Sequence, residues 1–216
     1  MLKVNNKSGE IYIYDVIGAD WYGGGITAVS VIEALDSLKG KPATIRINSP
    51  GGIADEGIAI YNALKRYEGG VTTIVDALAA SAASIIALAG TTRETSQGGR
   101  WMIHRAMGLA IGNATDMDKL SEVLTKYDNS LVEIYSQYMS EDAPAIMDLL
   151  TAETWYTADE AVAAGLSTSR GAQSEAEPMV AAWFRNAPAA ILNKPKAEMK
   201  PEPVRGQRIK QSLYSR

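Results

Sequence analysis

The feature that most constrains the fold is a long, small and apolar stretch in the middle of the chain. Residues 71–78 are predicted to form a buried strand, residues 79–81 a turn of small residues, and residues 82–89 an apolar helix. Ser81 then lies at a strand-to-helix junction, the usual position of an activated serine, and the N–H groups after it would face an anion on its substrate. The same alternation of alanine and serine is also typical of a tight helix-packing surface, so this stretch leaves both interpretations open.

Strands and helices alternate along the rest of the chain, so the fold class is predicted to be α/β. The predicted strands are residues 10–17, 43–47, 71–78, 93–95 and 100–103. The predicted helices are residues 27–38, 55–67, 81–89, 115–139 and 143–150, with one more that opens at a Thr157 cap and a Glu160 capping box. Because the helix at 115–139 exceeds the usual length, we expect it to project and to pack against a copy of itself.

Composition removes several classes of function. The 216 residues include no cysteine and one histidine, which excludes a disulfide framework and makes a zinc or other metal site unexpected. We expect no cofactor, and the net charge of -4 gives no reason to expect a nucleic-acid partner. The longest apolar run, residues 77–90, is shorter than the ~20 residues of a membrane span, and the first nine residues lack an apolar signal core. The expected location is therefore the cytoplasm.

The last quarter of the chain differs from the rest. Residues 171–216 carry 8 Lys and Arg against 4 Asp and Glu, whereas residues 1–170 carry 13 against 21. Five of the eight prolines also lie in this tail. We therefore predict a body at residues 1–170 and a basic, proline-rich, partly disordered extension at residues 171–216. An apolar island at residues 181–184 could dock on the body or on another subunit.

Two further segments bear on chemistry. Residues 49–52, Ser-Pro-Gly-Gly, follow a strand and precede a helix, and the glycines would let the backbone approach a ligand. An ordinary connecting loop would have the same composition. His104 ends a predicted strand, and as the only histidine it must serve any Ser/His mechanism, although a lone histidine is more often structural.

Taken together, these segments resemble the Clp protease proteolytic subunit (ClpP) and its phage relatives, which are serine peptidases of the ClpP/crotonase superfamily. The matching segments are residues 47–52, 79–81, 89–90, 102–104, 112–116, 158–161 and 165–166, in the order and spacing of that family. The resemblance covers about residues 10–168 and leaves out the tail. It implies a superhelix of repeated β-β-α units with the long helix protruding as a handle.

The resemblance also implies roles for individual residues. Ser81 matches the nucleophile and His104 the general base, which takes the serine proton and later protonates the leaving amine. In this register Ser49 and Ser84 are structural serines.

The backbone N–H groups of Gly52 and Ala82 match the oxyanion hole, with Gly51 beside them. The substrate is expected to be an extended peptide or protein segment that pairs with strand edges near Gly51 and near residues 106–111, where Gly108 keeps the edge slim.

The third member of the implied triad departs from the family pattern. Glu153 occupies the position of the family's aspartate, and a glutamate can orient a histidine in the same way although it is one methylene longer. Glu153 could instead be a surface residue, with the triad incomplete or served by a nearby acid such as Asp148.

The function implied by the resemblance is hydrolysis of peptide bonds. The implied partners are other copies of the chain, in rings of about seven that stack in pairs, and an ATP-dependent unfoldase. The tail and the glutamate suggest a phage-type relative that matures heads by cleaving scaffold or capsid proteins. The alternative is a catalytically silent assembly protein on the same fold. An acyl-CoA enzyme of the crotonase type and a Ser–Lys peptidase are disfavoured by Ser81 and His104 in register and by the lack of lysine near Ser81.

Overall fold

A mixed sheet organises the fold. We describe it from a computed structural model that covers residues 2–19, 24–179 and 184–188. Residues 181–183 of the predicted island at 181–184, and residues 189–216 of the predicted extension at 171–216, lie outside the described residues. The strands are β1 (Lys3–Asn5), β2 (Glu10–Ile13), β3 (Ala43–Ser49), β4 (Val71–Ala80), β5 (Thr92–Gln97), β6 (Arg100–Ile103), β7 (Thr154–Thr157) and β8 (Ser169–Gln173). The helices are α1 (Ala28–Ser37), α2 (Ala54–Arg66), α3 (Ala82–Ala87), α4 (Ala114–Tyr135), α5 (Ala143–Thr151) and α6 (Ala158–Ala163).

The long central strand β4 determines the topology. The main path of the sheet runs β1-β2-β3-β4-β5-β8, and every neighbouring pair in it is parallel except β1 and β2. The first part of β4 pairs with β5, and its last three residues pair in parallel with β6. Strand β7 then pairs with β6 in the antiparallel sense. This branching brings the ends of β4 and β6 together at one edge of the sheet.

Apolar side chains on the strands and on the helices form one core. The isoleucines of β2 and β3 are fully buried and belong to the same cluster as residues of α1, α2 and α3. Burial of such a side chain contributes roughly 1.5–3 kcal/mol, so this core supplies most of the drive for folding. The members on the strands include Ile11, Ile13, Ile45 and Ile47, and those on the helices include Val31, Leu35, Ile60, Leu64 and Ile85.

The two halves of helix α4 differ in their burial. Asn113 caps it, and Asp116 completes a capping box. Its first half is mostly exposed, whereas Asp128, Leu131 and Tyr135 in its second half are buried against the body. The helix was predicted to extend to residue 139, but it ends at Tyr135, and Met139 is buried in the core instead.

The structure adds strands that the sequence patterns did not indicate. Strands β1, β7 and β8 were not predicted, and the strand predicted at residues 10–17 stops at Ile13. Strand β8 pairs with β5, so the sheet continues through the boundary that was predicted at residues 170 and 171. Its sequence, Ser-Arg-Gly-Ala-Gln, lacks the apolar alternation that marks a strand. Thr157 and Glu160 do form the predicted capping box at the start of α6.

Candidate active site

Three strand ends converge at the edge of the sheet formed by β4 and β6. Ser81 directly follows β4 and His104 directly follows β6, and these strands are parallel, so both side chains leave the sheet at the same edge. Strand β7 runs the other way and begins one residue after Glu153, with Thr154 opposite Ile103. The topology therefore brings the three predicted site residues to one place, which is where α/β sheets commonly bind ligands.

Ser81 and His104 are in hydrogen-bond contact. The Nε2 atom of His104 lies 2.7 Å from the Oγ atom of Ser81. Ser81 has φ 55° and ψ -128°, a conformation that non-glycine residues rarely adopt, and its N–H donates to the carbonyl of Met102 at 2.9 Å. Backbone strain of this kind persists where the surrounding structure enforces it, and here it exposes a hydroxyl to a histidine.

The loop at residues 49–52, called the glycine loop below, packs directly against the turn at residues 79–81, called the serine turn. A Cβ atom on Gly51 would lie 2.6 Å from the carbonyl oxygen of Ala80 and 2.7 Å from the Cβ atom of Ser81, and its φ is +87°. Only glycine fits at this position without displacing the serine turn. The close approach places the backbone of the loop beside Ser81.

Two amide N–H groups are available next to the serine. Ile17 donates to the carbonyl of Gly51 and accepts from Ile53, so in this parallel bridge the N–H of Gly52 points away from Ile17. Ala82 is the first residue of α3, where an N–H has no partner within the helix. Among the hydrogen bonds of the described residues, none uses either N–H group. Both are therefore free to stabilise a negative charge on a substrate oxygen.

The other two nearby serines are engaged elsewhere. The Oγ atom of Ser84 donates to the carbonyl of Ser81 and lies 2.7 Å from the hydroxyl of Tyr135. The Oγ atom of Ser49 donates to the carbonyl of Asp15 and accepts the N–H of Gly51 at 3.1 Å. These bonds stabilise the serine turn and the glycine loop.

The surroundings of His104 set its protonation. Burial lowers the pKa of His104 below its ordinary value, and the nearby charge of Arg185 lowers it further. The carboxylates of Glu153 and Asp128 act in the opposite direction, but burial prevails. The imidazole is therefore neutral at pH 7, which is the form that can accept a proton from Ser81.

Glu153 lies near His104, but its hydrogen bonds go elsewhere. Its carboxylate accepts the backbone N–H groups of Arg185 at 2.9 Å and Asn186 at 2.6 Å, and the indole N–H of Trp155 at 3.3 Å. Burial raises the pKa of Glu153, but the bonds from Asn186 and Arg185 outweigh burial, so the pKa lies below its ordinary value. No hydrogen bond joins Glu153 to His104 among the described residues, so the charge acts on the imidazole through space.

The sequence-based alternative, Asp148, lies on α5 with an exposed side chain. No hydrogen bond joins it to His104 in the described part of the chain. Of the two acids that the sequence offered, Glu153 is the one whose charge acts on His104, although the structure leaves it without the direct bond that the triad pattern implies.

Sequence reasoning missed Asp128, a buried acid on α4. Its carboxylate accepts the guanidinium Nε–H of Arg105 at 2.7 Å and the backbone N–H of Ala106 at 2.8 Å. It thereby fixes the two residues that follow His104. One signal was available, because Asp128 falls four residues after Leu124 and three before Leu131, within the apolar stripe of α4.

An apolar cavity of about 630 Å³ opens beside Ser81 and His104. Gly108 lines it, and a Cβ atom there would lie 3.0 Å from Leu120. Residues 104–112 contain no strand, although an edge for peptide pairing was expected at residues 106–111. Leu109 and Ile111 are 91% and 97% exposed, so this segment has little of the body packed over it. Other side chains that line the cavity include Ile53, Ile58, Ile85, Met107, Leu124 and Tyr135.

Two kinds of feature are absent from residues 2–19, 24–179 and 184–188. They contain no group of three or more His, Asp or Glu side chains placed to hold a metal ion. They also contain no helix that combines the length and the apolar character needed to cross a lipid bilayer.

Comparison with known proteins agrees with this geometry. The sequence profile of the Clp protease family matches residues 3–169. ATP-dependent Clp protease proteolytic subunit 1 of Protochlamydia amoebophila is 36% identical over 163 residues, covering 74% of this chain and 78% of the relative. The ATP-dependent Clp protease proteolytic subunit of Bacteroides thetaiotaomicron is 33% identical over 135 residues, or 61% of each chain.

A solved structure supports the fold separately. A ClpP1 mutant from Listeria monocytogenes superposes with a TM-score of 0.68 at 21% identity, covering 78% of this chain and 94% of its own. At that identity the match bears on the fold alone, and it confirms the predicted α/β class and ClpP-like architecture. From the family profile and the sequence relatives, the chain belongs to the Clp protease family of serine peptidases.

Proposed function

We propose that this chain is a serine endopeptidase in which Ser81 is the nucleophile and His104 the general base. The observation that carries the proposal is the 2.7 Å contact between Ser81 Oγ and His104 Nε2 beside two unengaged backbone N–H groups. This set of groups contains what acyl transfer requires: a nucleophile, a base within reach, and donors for the oxyanion.

The reaction follows from these positions. His104 Nε2 takes the proton as Ser81 Oγ bonds to the scissile carbonyl carbon, and the carbonyl oxygen becomes an oxyanion. The N–H groups of Gly52 and Ala82 stabilise that oxyanion, each by roughly 3–4 kcal/mol. The C–N bond then breaks and the proton passes from His104 to the leaving amine. Water attacks the acyl-enzyme with the same base, which releases the acid and restores Ser81.

Glu153 is proposed as the third member of the catalytic triad with Ser81 and His104, and it acts by its charge. Its low pKa keeps it ionised, and a negative charge near His104 stabilises the imidazolium that forms in each transition state. It does so without the direct hydrogen bond of the usual triad, so we expect its contribution to be smaller than that of His104.

The proposed substrate is an extended peptide segment with an apolar side chain in the 630 Å³ cavity. The backbone near Gly51 and the segment at residues 106–111 would pair with the peptide, which explains why exposed Leu109 and Ile111 lack cover in the isolated chain. Gly108 would keep the cavity wall thin.

The direct test is peptide hydrolysis by Ser81→Ala. The variant should lose cleavage of a fluorogenic peptide with an apolar residue before the scissile bond, while the parent chain cleaves it. Ser130→Ala is the matched control, because it removes an exposed hydroxyl on α4 and leaves the bonds around Ser81 in place. Equal cleavage by the parent and by Ser81→Ala would disprove the assignment of the nucleophile.

The proposal extends to how copies of the chain assemble and to a second protein partner. Met117 and Val123 on the exposed half of α4 are apolar and solvent-facing, which fits packing between copies in rings of about seven. The relatives named above are subunits of ATP-dependent proteases, so an ATP-driven unfoldase is a proposed partner. Sedimentation measures how many copies assemble. Cleavage of a folded substrate protein, with and without an added Clp-type unfoldase, tests the second partner.

The phage-type role is proposed from the chain's departures from the family. The proposed extension at residues 171–216 lies beyond the matched profile, and Glu153 stands where the resemblance implies an aspartate. We propose head maturation, with scaffold or capsid proteins as substrates, in the cytoplasm. Co-expression with phage scaffold and capsid proteins should yield defined cleavage products that Ser81→Ala does not produce.

A second candidate function is that of a catalytically silent assembly protein on the same fold. One observation favours it: Glu153 is hydrogen-bonded to Trp155, Arg185 and Asn186 rather than to His104. Titration with a stoichiometric serine-directed inhibitor separates the candidates, because a silent protein would remain unmodified.

A further inference from the structure

The segment beyond β8 returns to the candidate active site. Asn48, which precedes the glycine loop, donates its side-chain amide to the carbonyl of Glu177 at 2.7 Å and accepts the N–H of Met179 at 3.2 Å. Glu177 and Met179 lie beyond the stretch that matches the Clp protease profile, which ends at residue 169. The segment is therefore held against the body by a side chain next to the glycine loop.

Phe184 anchors the next part of this segment. It is buried in a small apolar cluster with Leu78, Ala80 and Met102, which belong to the strands that carry Ser81 and His104. Its ring lies 5.4 Å from that of Trp155 and 6.5 Å from that of His104, both edge-to-face. Burial of this side chain favours the docked position of residues 184–186.

The two residues after Phe184 present their backbone to Glu153. The N–H of Arg185 reaches Oε2 and the N–H of Asn186 reaches Oε1, so each carboxylate oxygen has one backbone donor. The side-chain amide of Asn186 adds a bond to the carbonyl of Ala152 at 2.8 Å. Hydrogen bonds to an ionised group are stronger than neutral ones, so this clamp fixes both the position and the charge of Glu153.

We infer that residues 184–186 position Glu153 as the charged partner of His104, which makes the C-terminal segment part of the active site. This inference rests on the proposed function. A glutamate side chain on its own is flexible and would turn toward water, and its charge would then be screened from the imidazole. Arg185 and Asn186 are positioning residues here, because they act through Glu153 and not on the substrate.

The test compares Asn186→Pro with Asn186→Ala in the full chain, each with Glu153 and with Glu153→Gln. Proline lacks the N–H that bonds Oε1, whereas alanine keeps it and loses only the bond to Ala152. We expect Asn186→Pro to lower kcat about tenfold with KM within about twofold, and Asn186→Ala to lose less. In the Glu153→Gln background, proline should add no further loss.

The pH profile separates positioning from a merely structural role. Three charged groups act on His104: Glu153 and Asp128 raise its pKa, and Arg185 lowers it. Glu153 is the strongest of these three charges, so its release in Asn186→Pro should lower the pKa of His104 and move the acid limb of kcat/KM to lower pH, as in Glu153→Gln. A loss of structure would lower the activity without moving the limb.

Three outcomes would overturn the inference: higher activity in Asn186→Pro, equal losses for proline and alanine, or a proline effect that persists with Glu153→Gln. The first would mean that the segment withdraws Glu153 from His104. If Asn186→Pro does not fold, Arg185→Pro removes the other donor and takes its place, with Arg185→Ala as its control because both variants lose the charge that acts on His104.

A readout without catalysis keeps the inference apart from the proposed function. If the parent chain itself neither cleaves peptides nor reacts with inhibitors, the proposed function fails. The pKa of Glu153 can then be followed by carboxyl NMR, and it should rise in Asn186→Pro relative to Asn186→Ala. An unchanged pKa of Glu153 would refute the clamp itself.

Discussion

The two sides of His104 are built from different parts of the chain. On one side, Ser81 follows β4, and the parallel pairing of β4 with β6 holds its hydroxyl 2.7 Å from the imidazole. On the other side, Glu153 is held by backbone N–H groups from Arg185 and Asn186, more than thirty residues away in sequence. The first side depends on the sheet and the second on a docked segment. We therefore expect the first side to dominate catalysis and the second to tune it.

The largest expected effect is that of His104→Ala. With no base to take the proton of Ser81, kcat/KM for a fluorogenic peptide should fall by about 10³-fold or more. Circular dichroism and sedimentation should match those of the parent chain, since the imidazole lies at the edge of the core. A loss of only a few fold would mean that Ser81 is activated by something other than His104.

Next in size is Glu153→Gln, which keeps the shape of the side chain and removes its charge. We expect kcat to fall roughly 10- to 100-fold, because the imidazolium loses a stabilising charge. Glu153 raises the pKa of His104, so its neutralisation lowers that pKa, and the acid limb of kcat/KM moves to lower pH. Asp148→Asn is the matched control, and its profile should overlay that of the parent. If the two variants exchange these behaviours, Asp148 is the acid of the site.

A smaller effect is expected for Asp128→Asn. Asparagine keeps one acceptor oxygen, so the N–H of Ala106 and the guanidinium of Arg105 can no longer both be satisfied by a charged partner. We expect kcat to fall about threefold and the unfolding free energy by about 1–3 kcal/mol. Asp118→Asn, an exposed change on the same helix, is the control. Equal results for the two would remove Asp128 from the account.

The smallest effect is expected for Tyr135→Phe. It removes the buried hydroxyl 2.7 Å from Ser84 Oγ, which in turn donates to the carbonyl of Ser81. The unfolding free energy should fall by about 1 kcal/mol, with kcat changed by less than twofold. Tyr127→Phe, whose hydroxyl bonds Asp55 at the surface, should change stability less. A large loss of activity in Tyr135→Phe would show that the serine turn depends on α4 more than the sheet geometry implies.

The sequence was sufficient to predict the side of the active site that contains Ser81, because this side is formed by the ends of strands. Apolar strands that end in Ser81 and His104 have a local signal, and parallel pairing does the rest, so both residues lie at the predicted edge. The same holds for the glycine loop, where Gly51 contacts the serine turn so closely that a Cβ atom would collide with it.

The other side could be predicted only in part. The apolar island at residues 181–184 suggested docking on the body, but the partners of Glu153 carry no side-chain signal. The N–H groups of Arg185 and Asn186 are backbone donors that any residue except proline supplies, and only the docking of Phe184 brings them to Glu153. Strand β8 escaped prediction because its polar residues gain their place from pairing with β5 rather than from burial. Asp128 stands out in the apolar stripe of α4, but the sequence does not show that this helix packs against the residues after His104, where Asp128 bonds Arg105 and Ala106.

The central claim is that one neutral imidazole makes one hydroxyl nucleophilic, and covalent modification tests it most directly. The rate at which a fluorophosphonate modifies the full chain should be measured from pH 4 to pH 9, with the adduct located by mass spectrometry. The account predicts one adduct per chain, on Ser81, at a rate that rises with loss of a single proton whose pKa lies below the ordinary ~6.5 of histidine. No adduct, an adduct on another residue, or a rate that does not vary with pH would contradict it.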